Sequence, residues 1–507
     1  MSGRQFGLIA EYDMCLMFSM GHFDCVSALL LGAVMVCEGA DGAGEWPQFR
    51  GPNATGVSVA ADPPVKVGPG EGVIWSVEVP WSPSSPCVWG DRIFLTTFNG
   101  GGLETRAYDR GTGRLLWAKQ VRVAQLEEYH STDGSPAAST PVTDGERVVS
   151  YFGSFGVVCY DVRGEELWRH VLPVAMSGGQ YGSGTSPIIA GGRVILNRDQ
   201  QDGRSSLVAL DVRTGEVAWE VPRPAFNGGH GTPVIWENAG RMEVVMPGSI
   251  QLKGYDLVDG GEDWSVDGVS AFVCTSPVVG DGMLYFAAWC PGQADSSLPM
   301  DWPSFVKQMD QDGDGRVLLS EFPKANGDFL RGVDFNRDGE VTDEDLGVMR
   351  EAAKRAENVL LAVAPGGRGD ITETHVKWKY KRGLPYVPSP LYLDGRVYMV
   401  KDGGMVSSFD AKTGEPYYTQ ERIGAAGSYY ASPVAAEGRL YVVSLPGKLT
   451  VLRAGGEHPE VLHQADFGER IFATPALAGR NLYVRTEKRL LAFGADERGR
   501  ETASVGR

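Results

Sequence analysis

Twelve residues at 310–321, DQDGDGRVLLSE, gather four carboxylates and two glycines in a chain that otherwise reads as strands and turns. Asp310, Asp312 and Asp314 alternate, Gly315 follows at once, and Glu321 closes the stretch with a longer acid. A calcium ion needs this order. It takes side-chain oxygens at loop positions 1, 3, 5 and 12 and a main-chain carbonyl at position 7, with a glycine making the sharp turn at position 6. Arg316 supplies the position 7 carbonyl, and Leu318 offers no side-chain ligand at position 9, which leaves it to water or to nothing. The crowding of hard oxygens and the cation explain each other, because the ion relieves the repulsion among the carboxylates.

A second stretch with the same spacing, DFNRDGEVTDED, lies at 334–345. Asp334, Asn336 and Asp338 fill the alternating positions, Glu340 offers its carbonyl, Thr342 stands at position 9 and Asp345 at position 12. Aspartate is one methylene shorter than glutamate, so this second site is expected to be the looser one. The plain alternative is a degenerate loop. Segments 304–309 and 343–363 have helical periodicity, so the two loops read as an EF-hand pair in a small α module at 291–357. From 301 to 357 there are 14 acidic and 8 basic residues, a net of -6, which a bound cation reduces.

The module interrupts a repeat. A Ser-Pro or Thr-Pro pair precedes an apolar strand and a glycine turn at Pro86, Pro141, Pro187, Pro233, Pro277, Pro390, Pro433 and Pro475. The spacing is near-regular except between Pro277 and Pro390, where the calcium loops lie. A full repeat has four alternating runs, and in four repeats an aspartate before the last turn is followed by an aromatic eight residues on: Asp109 and Trp117, Asp211 and Trp219, Asp256 and Trp264, Asp410 and Tyr418; Asp161 and Trp168 are one shorter. Four strands in about 45 residues make one propeller blade. The last repeat supplies only three strands, while residues 73–79, with Trp75, form an orphan fourth strand ahead of the first anchor. The expectation is an all-β, eight-bladed propeller closed by its N-terminal strand. It comprises blade residues 45–290 and 358–494, with the insertion in blade five and a disordered tail at 495–507. The second strand of blade five reads at 283–290 and its third at 358–365, which puts the insertion on the face that carries the blade-to-blade connections.

A formal net charge of -17 excludes a nucleic-acid surface, which needs concentrated Lys and Arg. The seven cysteines form no CxxC pair and no zinc spacing. Cys274 and Cys290 either bridge in an oxidising compartment or stay as buried thiols. Residues 26–36, VSALLLGAVMV, have the length of a signal-peptide core and are too short to span a bilayer. The flank departs from the usual pattern, with Asp24 where a basic residue is expected. Segment 1–44 therefore reads as an export segment, giving a periplasmic or secreted monomer with no transmembrane span.

Seven of the eight blade connections carry aromatic or histidine residues just before their anchors, among them Tyr181, His230, Tyr386, Tyr429 and Tyr430. They either line a ligand funnel roofed by the calcium module or plug the mouth as packing. The repeat form A-x-D-x-x-T-G-x-x-x-W resembles that of the PQQ-type propellers, which include quinoprotein alcohol dehydrogenases and BamB-type assembly lipoproteins. Residues 45–58, EWPQFRGPNATGVS, and 469–479, ERIFATPALAG, are similar to the first and last segments of exported PQQ-binding-like β-propeller repeat proteins. The resemblance covers roughly residues 46–494. It implies the propeller fold and raises a redox reading, in which a quinone (PQQ) held by calcium in the channel oxidises alcohols or sugars. Members that do this have adjacent cysteines near the cofactor and a calcium site built from the propeller. Here no two cysteines are adjacent, and the calcium residues lie in an insertion. Two readings stand: a calcium-binding module for a protein or carbohydrate partner at the channel mouth, and a quinoprotein-type dehydrogenase.

Overall fold

The computed structural model describes residues 44–177, 181–201, 203–226, 228–290, 301–322, 333–334 and 338–494. Residues 1–43 of the stretch read above as an export segment, the tail from 495, and Asn336 lie outside them. Eight sheets follow one another along the chain, each built on four antiparallel strands. In each, a two- to five-residue first strand leads into longer second, third and fourth strands. The first strands neighbour one another around an axis. The fourth strands alternate exposed and buried residues, as in Glu166–Val171, and form the rim.

The eighth sheet is completed from the other end of the chain. Val73–Glu78 pairs antiparallel with Arg489–Phe493, Trp75 opposite Ala492 and Glu78 opposite Arg489. Closure in this way removes two free strand edges.

The Ser/Thr-Pro anchors have a physical purpose beyond punctuation. The amide of each anchor hydroxyl residue donates to the hydroxyl oxygen of the next: Ser85 to Thr140, then Ser186, Thr232, Ser276, Ser389, Ser432, Thr474 and back to Ser85. All eight bonds are 2.9–3.2 Å long and all eight residues are buried or nearly so. The inner strands of neighbouring blades belong to separate sheets and do not pair with each other, so this belt satisfies amides that would otherwise be buried without partners. The following proline donates no bond and holds the chain extended.

The outer tryptophans close the seams. The indole N–H groups of Trp75, Trp117, Trp168, Trp219 and Trp378 donate to carbonyls of the next blade: Arg110, Val162, Val212, Leu257 and Ala411. Each ring lies on a turn glycine of that blade, Gly113 under Trp75 and Gly215 under Trp168, both at φ of 73°. A Cβ at either glycine would stand within 2.6 Å of the ring, so only glycine fits.

Trp264 has the same sequence spacing but a different role. Its indole donates 2.5 Å to the buried Glu243 carboxylate in its own blade. Blade five has no aspartate-threonine-glycine turn to receive it. Instead Gly369–Asp370 runs parallel beside Glu262–Asp267 as a fifth strand of blade four, and Ile371 is buried against that sheet.

The insertion leaves blade five between its second strand, Met283–Ala288, and its third, Val359–Val363. Helix α1 (Trp302–Met309) is capped by Asp301, whose carboxylate accepts from the Ser304 amide at 3.0 Å. Helix α2 (Asp343–Arg355) stops at Arg355; the helical periodicity read through residue 363 ends there because 359–363 is completely buried strand. Phe305, Met309, Val317, Phe322, Val333, Val341 and Leu346 make a separate apolar core for the insertion.

Candidate functional site

Two places in the fold gather chemistry. The first is the pair of acidic loops. Oxygens of Asp310, Asp312 and Asp314 all lie within 4.8 Å of one another. Asp310 accepts the amides of Gly313 (2.7 Å) and Gly315 (2.9 Å), Asp312 that of Asp314, and Asp314 that of Arg316. These turns face the three acids towards a common point. Glu321 lies in the same loop, its carboxylate accepting from the Gln311 (2.8 Å) and Leu318 (2.7 Å) amides, which hold its pKa below the usual value.

In the second loop Asp334 and Asp345 are both buried. Asp334 accepts from the Gly339 amide at 3.0 Å, Asp338 from that of Glu340 at 2.9 Å, and Asp345 from the amide and hydroxyl of Thr342. The loops are joined back to back, the Val341 amide donating 2.8 Å to the Val317 carbonyl and Leu319 to Gly339. Arg316 adds a bidentate pair with Glu340, so the side chains at position 7 of the two loops are bound to each other. Hard carboxylate oxygens in such a group can hold a divalent cation.

The second place is the axis. On the face of the blade connections lies a cavity of about 190 Å³. Tyr181, His230, Phe272, Tyr386, Tyr430 and Phe472 surround it, and belt hydroxyls line it beneath. Tyr430 and Phe472 meet at 5.8 Å between ring centres, and His230 stands edge-on to Phe272 at 5.6 Å. Burial raises the Tyr386 and Tyr430 pKa values, so both phenols stay neutral, and it pushes the Cys274 thiol up to about 12. Cys274 and Cys290 are both free thiols.

Of the five mouth residues expected from sequence, Tyr429 is placed elsewhere. Its ring is buried in the core between blades six and seven, and its hydroxyl donates 2.7 Å to the Ala425 carbonyl. It sits beside Tyr430, and neighbouring residues of an extended segment point to opposite sides.

The base of the cavity was not legible beforehand. Residues 46–62 cross the channel beneath the belt, touching six blades. Trp46 pairs with Val88, Pro47 accepts from Thr143, the Asn53 amide group brackets Ile235, Arg50 donates to Pro390, Gly56 accepts from Ala435, and Asp62 donates to Gly479. Phe49 from this segment lines the cavity. This segment gives the cavity a base, which makes it a pit. Arg50 is fully buried, packed beneath against Gly56, and burial lowers its pKa to about 9.

Beside the pit, sharing Gly184 and His230 with it, is a polar void of about 10 Å³. The buried Glu127 lies behind it, accepting 2.7 Å from Ser183, and burial raises this carboxyl to about 8.

The insertion is tied to the pit wall. Arg355 at the end of α2 pairs with Asp267 at 2.5 Å, and the Glu357 amide donates 3.1 Å to the Val269 carbonyl. Phe272 and Cys274 follow in that connection, and the His230 amide donates 2.8 Å to Val273.

The family model described as outer membrane protein assembly factor BamB matches residues 69–181, 101–267 and 355–505, more than half of the chain. The chain belongs to this family. Among solved structures, BamB from Moraxella catarrhalis is 13% identical with a TM-score of 0.51, over 84% of this chain and 98% of that one. The quinohemoprotein alcohol dehydrogenase ADHIIG from Pseudomonas putida HK5 is 12% identical with a TM-score of 0.52, over 89% and 80%. The computationally designed Ika8 protein is 12% identical with a TM-score of 0.52, over 83% and 99%. These likenesses speak for the BamB-type fold alone. No curated protein matches the chain significantly. Among the described residues no helix is long and apolar enough to cross a membrane.

Proposed function

We propose that this chain is an exported, calcium-ordered binding module whose axial pit receives a protein or carbohydrate partner. The observation that carries the reading is the pit itself: a concave, aromatic-rimmed cavity closed at its base by residues 46–62. The apolar run at 26–36 and the family's description as an outer membrane assembly factor support export.

Calcium is proposed at Asp310, Asp312, Asp314, Glu321 and the Arg316 carbonyl. A looser second site uses Asp334, Asn336, Asp338, Asp345 and the Glu340 carbonyl. The close approach of the three aspartates supports the first site, since without a cation these acids repel. Through α2 and the Arg355 and Glu357 contacts, an ordered module steadies the connection that carries Phe272.

The other reading places pyrroloquinoline quinone in the channel, where it would supply a two-electron acceptor. That cofactor carries three carboxylates, and no lysine or arginine is among the described residues lining the pit. The pit residues do not fit it. Incubation with the quinone and Ca²⁺, followed by gel filtration and a dye-linked assay with alcohols and sugars, tests the choice. The binding reading predicts no co-eluting quinone absorbance and no dye reduction. Retained quinone at one equivalent with dye turnover would contradict it.

A further inference from the structure

The hydroxyl belt does more than join blades. A hydroxyl has one proton and two lone pairs, and each belt oxygen uses one lone pair for the amide of the preceding blade. None of the eight donates its proton to a protein acceptor among the described residues. Ser85, Thr140, Ser186, Ser389, Ser432 and Thr474 line the pit. Each therefore offers a ligand both a donor and an acceptor.

The charges narrow the ligand further. Among the described residues no lysine or arginine lines the pit, and the chain carries a formal charge of -17, so an anion finds no unpaired partner there. An organic cation is also poorly served. Asp133, the one carboxylate among the described residues lining the pit, is already bound by Arg470 at 3.1 Å, and that guanidinium already lies 4.9 Å over the Phe472 ring. What fits is an uncharged group with hydroxyls around its edge and apolar C–H faces. The edge hydroxyls exchange donors and acceptors with the belt, while the faces lie against the rings of the rim.

We infer that the pit binds the uncharged end of a saccharide, an assignment that rests on reading the pit as a ligand site. Carbohydrate then takes precedence over protein among the partners proposed above.

The test is saturation-transfer NMR and calorimetry on the whole exported chain in calcium buffer. The probes are D-glucose, D-galactose, D-mannose, N-acetylglucosamine and their β-linked disaccharides. Glucuronate, glucosamine and tetramethylammonium serve as charged counterparts. At least one neutral sugar is expected to bind saturably. The matching charged sugar is expected to bind at least tenfold more weakly, and Tyr430→Ala to lose at least tenfold while its melting temperature stays within a few degrees. Tyr430→Phe, which keeps the ring, should retain binding and guards against a folding defect in the alanine variant. Should a charged counterpart bind as well as the neutral sugars, or tetramethylammonium alone bind, the saccharide assignment falls and the pit remains a ligand site. Should no probe bind, both the assignment and the reading of the pit fall.

Discussion

Replacing Gly113 by alanine attacks the seam where the two ends of the chain meet. Gly113 has a φ of 73°, and an added Cβ would lie 2.5 Å from the Trp75 ring of the closing strand. Left-handed backbone costs a non-glycine residue about 1 kcal/mol. Overpacking adds about 1–3 kcal/mol, and the shifted indole weakens its 2.9 Å bond to Arg110. The sum is about 2–4 kcal/mol. With an unfolding entropy of about 2.1 cal/mol/K per residue over 507 residues, this is a fall of about 2–4 °C in melting temperature. Differential scanning calorimetry in calcium buffer reads it. The partner variant Trp75→Leu separates the terms, because with the ring gone only the backbone strain remains. In the double variant Gly113→Ala should then cost about 1–3 kcal/mol less than it does alone. A Gly113→Ala protein that melts with the wild type, or a cost that is unchanged without Trp75, would refute the docking argument.

Glu321→Gln should lower calcium affinity at the first site at least tenfold by calorimetry; an unchanged titration would refute the ligand assignment. Ser432→Ala removes the acceptor of the buried Ser389 amide at 3.0 Å and should cost about 1–3 kcal/mol, whereas Ser432→Thr should be tolerated. An alanine variant as stable as the threonine variant would remove the belt from the account of stability. Glu127 is raised by burial from 4.5 to about 8, so the folded state keeps a proton that the unfolded chain releases. Its favourable contribution is complete below about pH 4.5 and is lost as pH rises through about 8. Glu127→Gln should therefore gain melting temperature relative to the wild type between pH 5 and 8.5, and parallel pH profiles would refute the burial argument.

The blade count, the closing strand and the place of the insertion were legible because each rests on short local patterns. Serine-proline pairs, turn glycines and a tryptophan at a fixed offset repeat often enough to be counted. What escaped depends on contacts distant in sequence. The anchor hydroxyls recur as plainly as the prolines, yet only the closed ring reveals them as acceptors for the neighbouring blade. Residues 46–62 carry no strand pattern, and their path under the belt is set by contacts with six blades. Trp264 follows the repeat spacing, but the partner turn in blade five has been replaced by the segment that covers blade four. At the mouth, aromatic content was readable, while the separation of Tyr430 from Tyr429 required the backbone course.

The claim on which the functional account stands is that the pit admits small molecules from one end only. Cys274 reports on it, since it lines the pit and is partly exposed, whereas Cys87, Cys159 and Cys290 are buried. Peptide mass mapping of native protein after timed exposure to methyl methanethiosulfonate and to a 5 kDa maleimide-polyethylene glycol (about the mass of a small domain) measures access directly. The account predicts that the small reagent modifies Cys274 ahead of Cys87, Cys159 and Cys290, slowly because burial disfavours its thiolate, and that the large one leaves it unmodified. Modification of Cys274 by the large reagent as readily as by the small one, or no modification by either until the protein unfolds, would contradict the account.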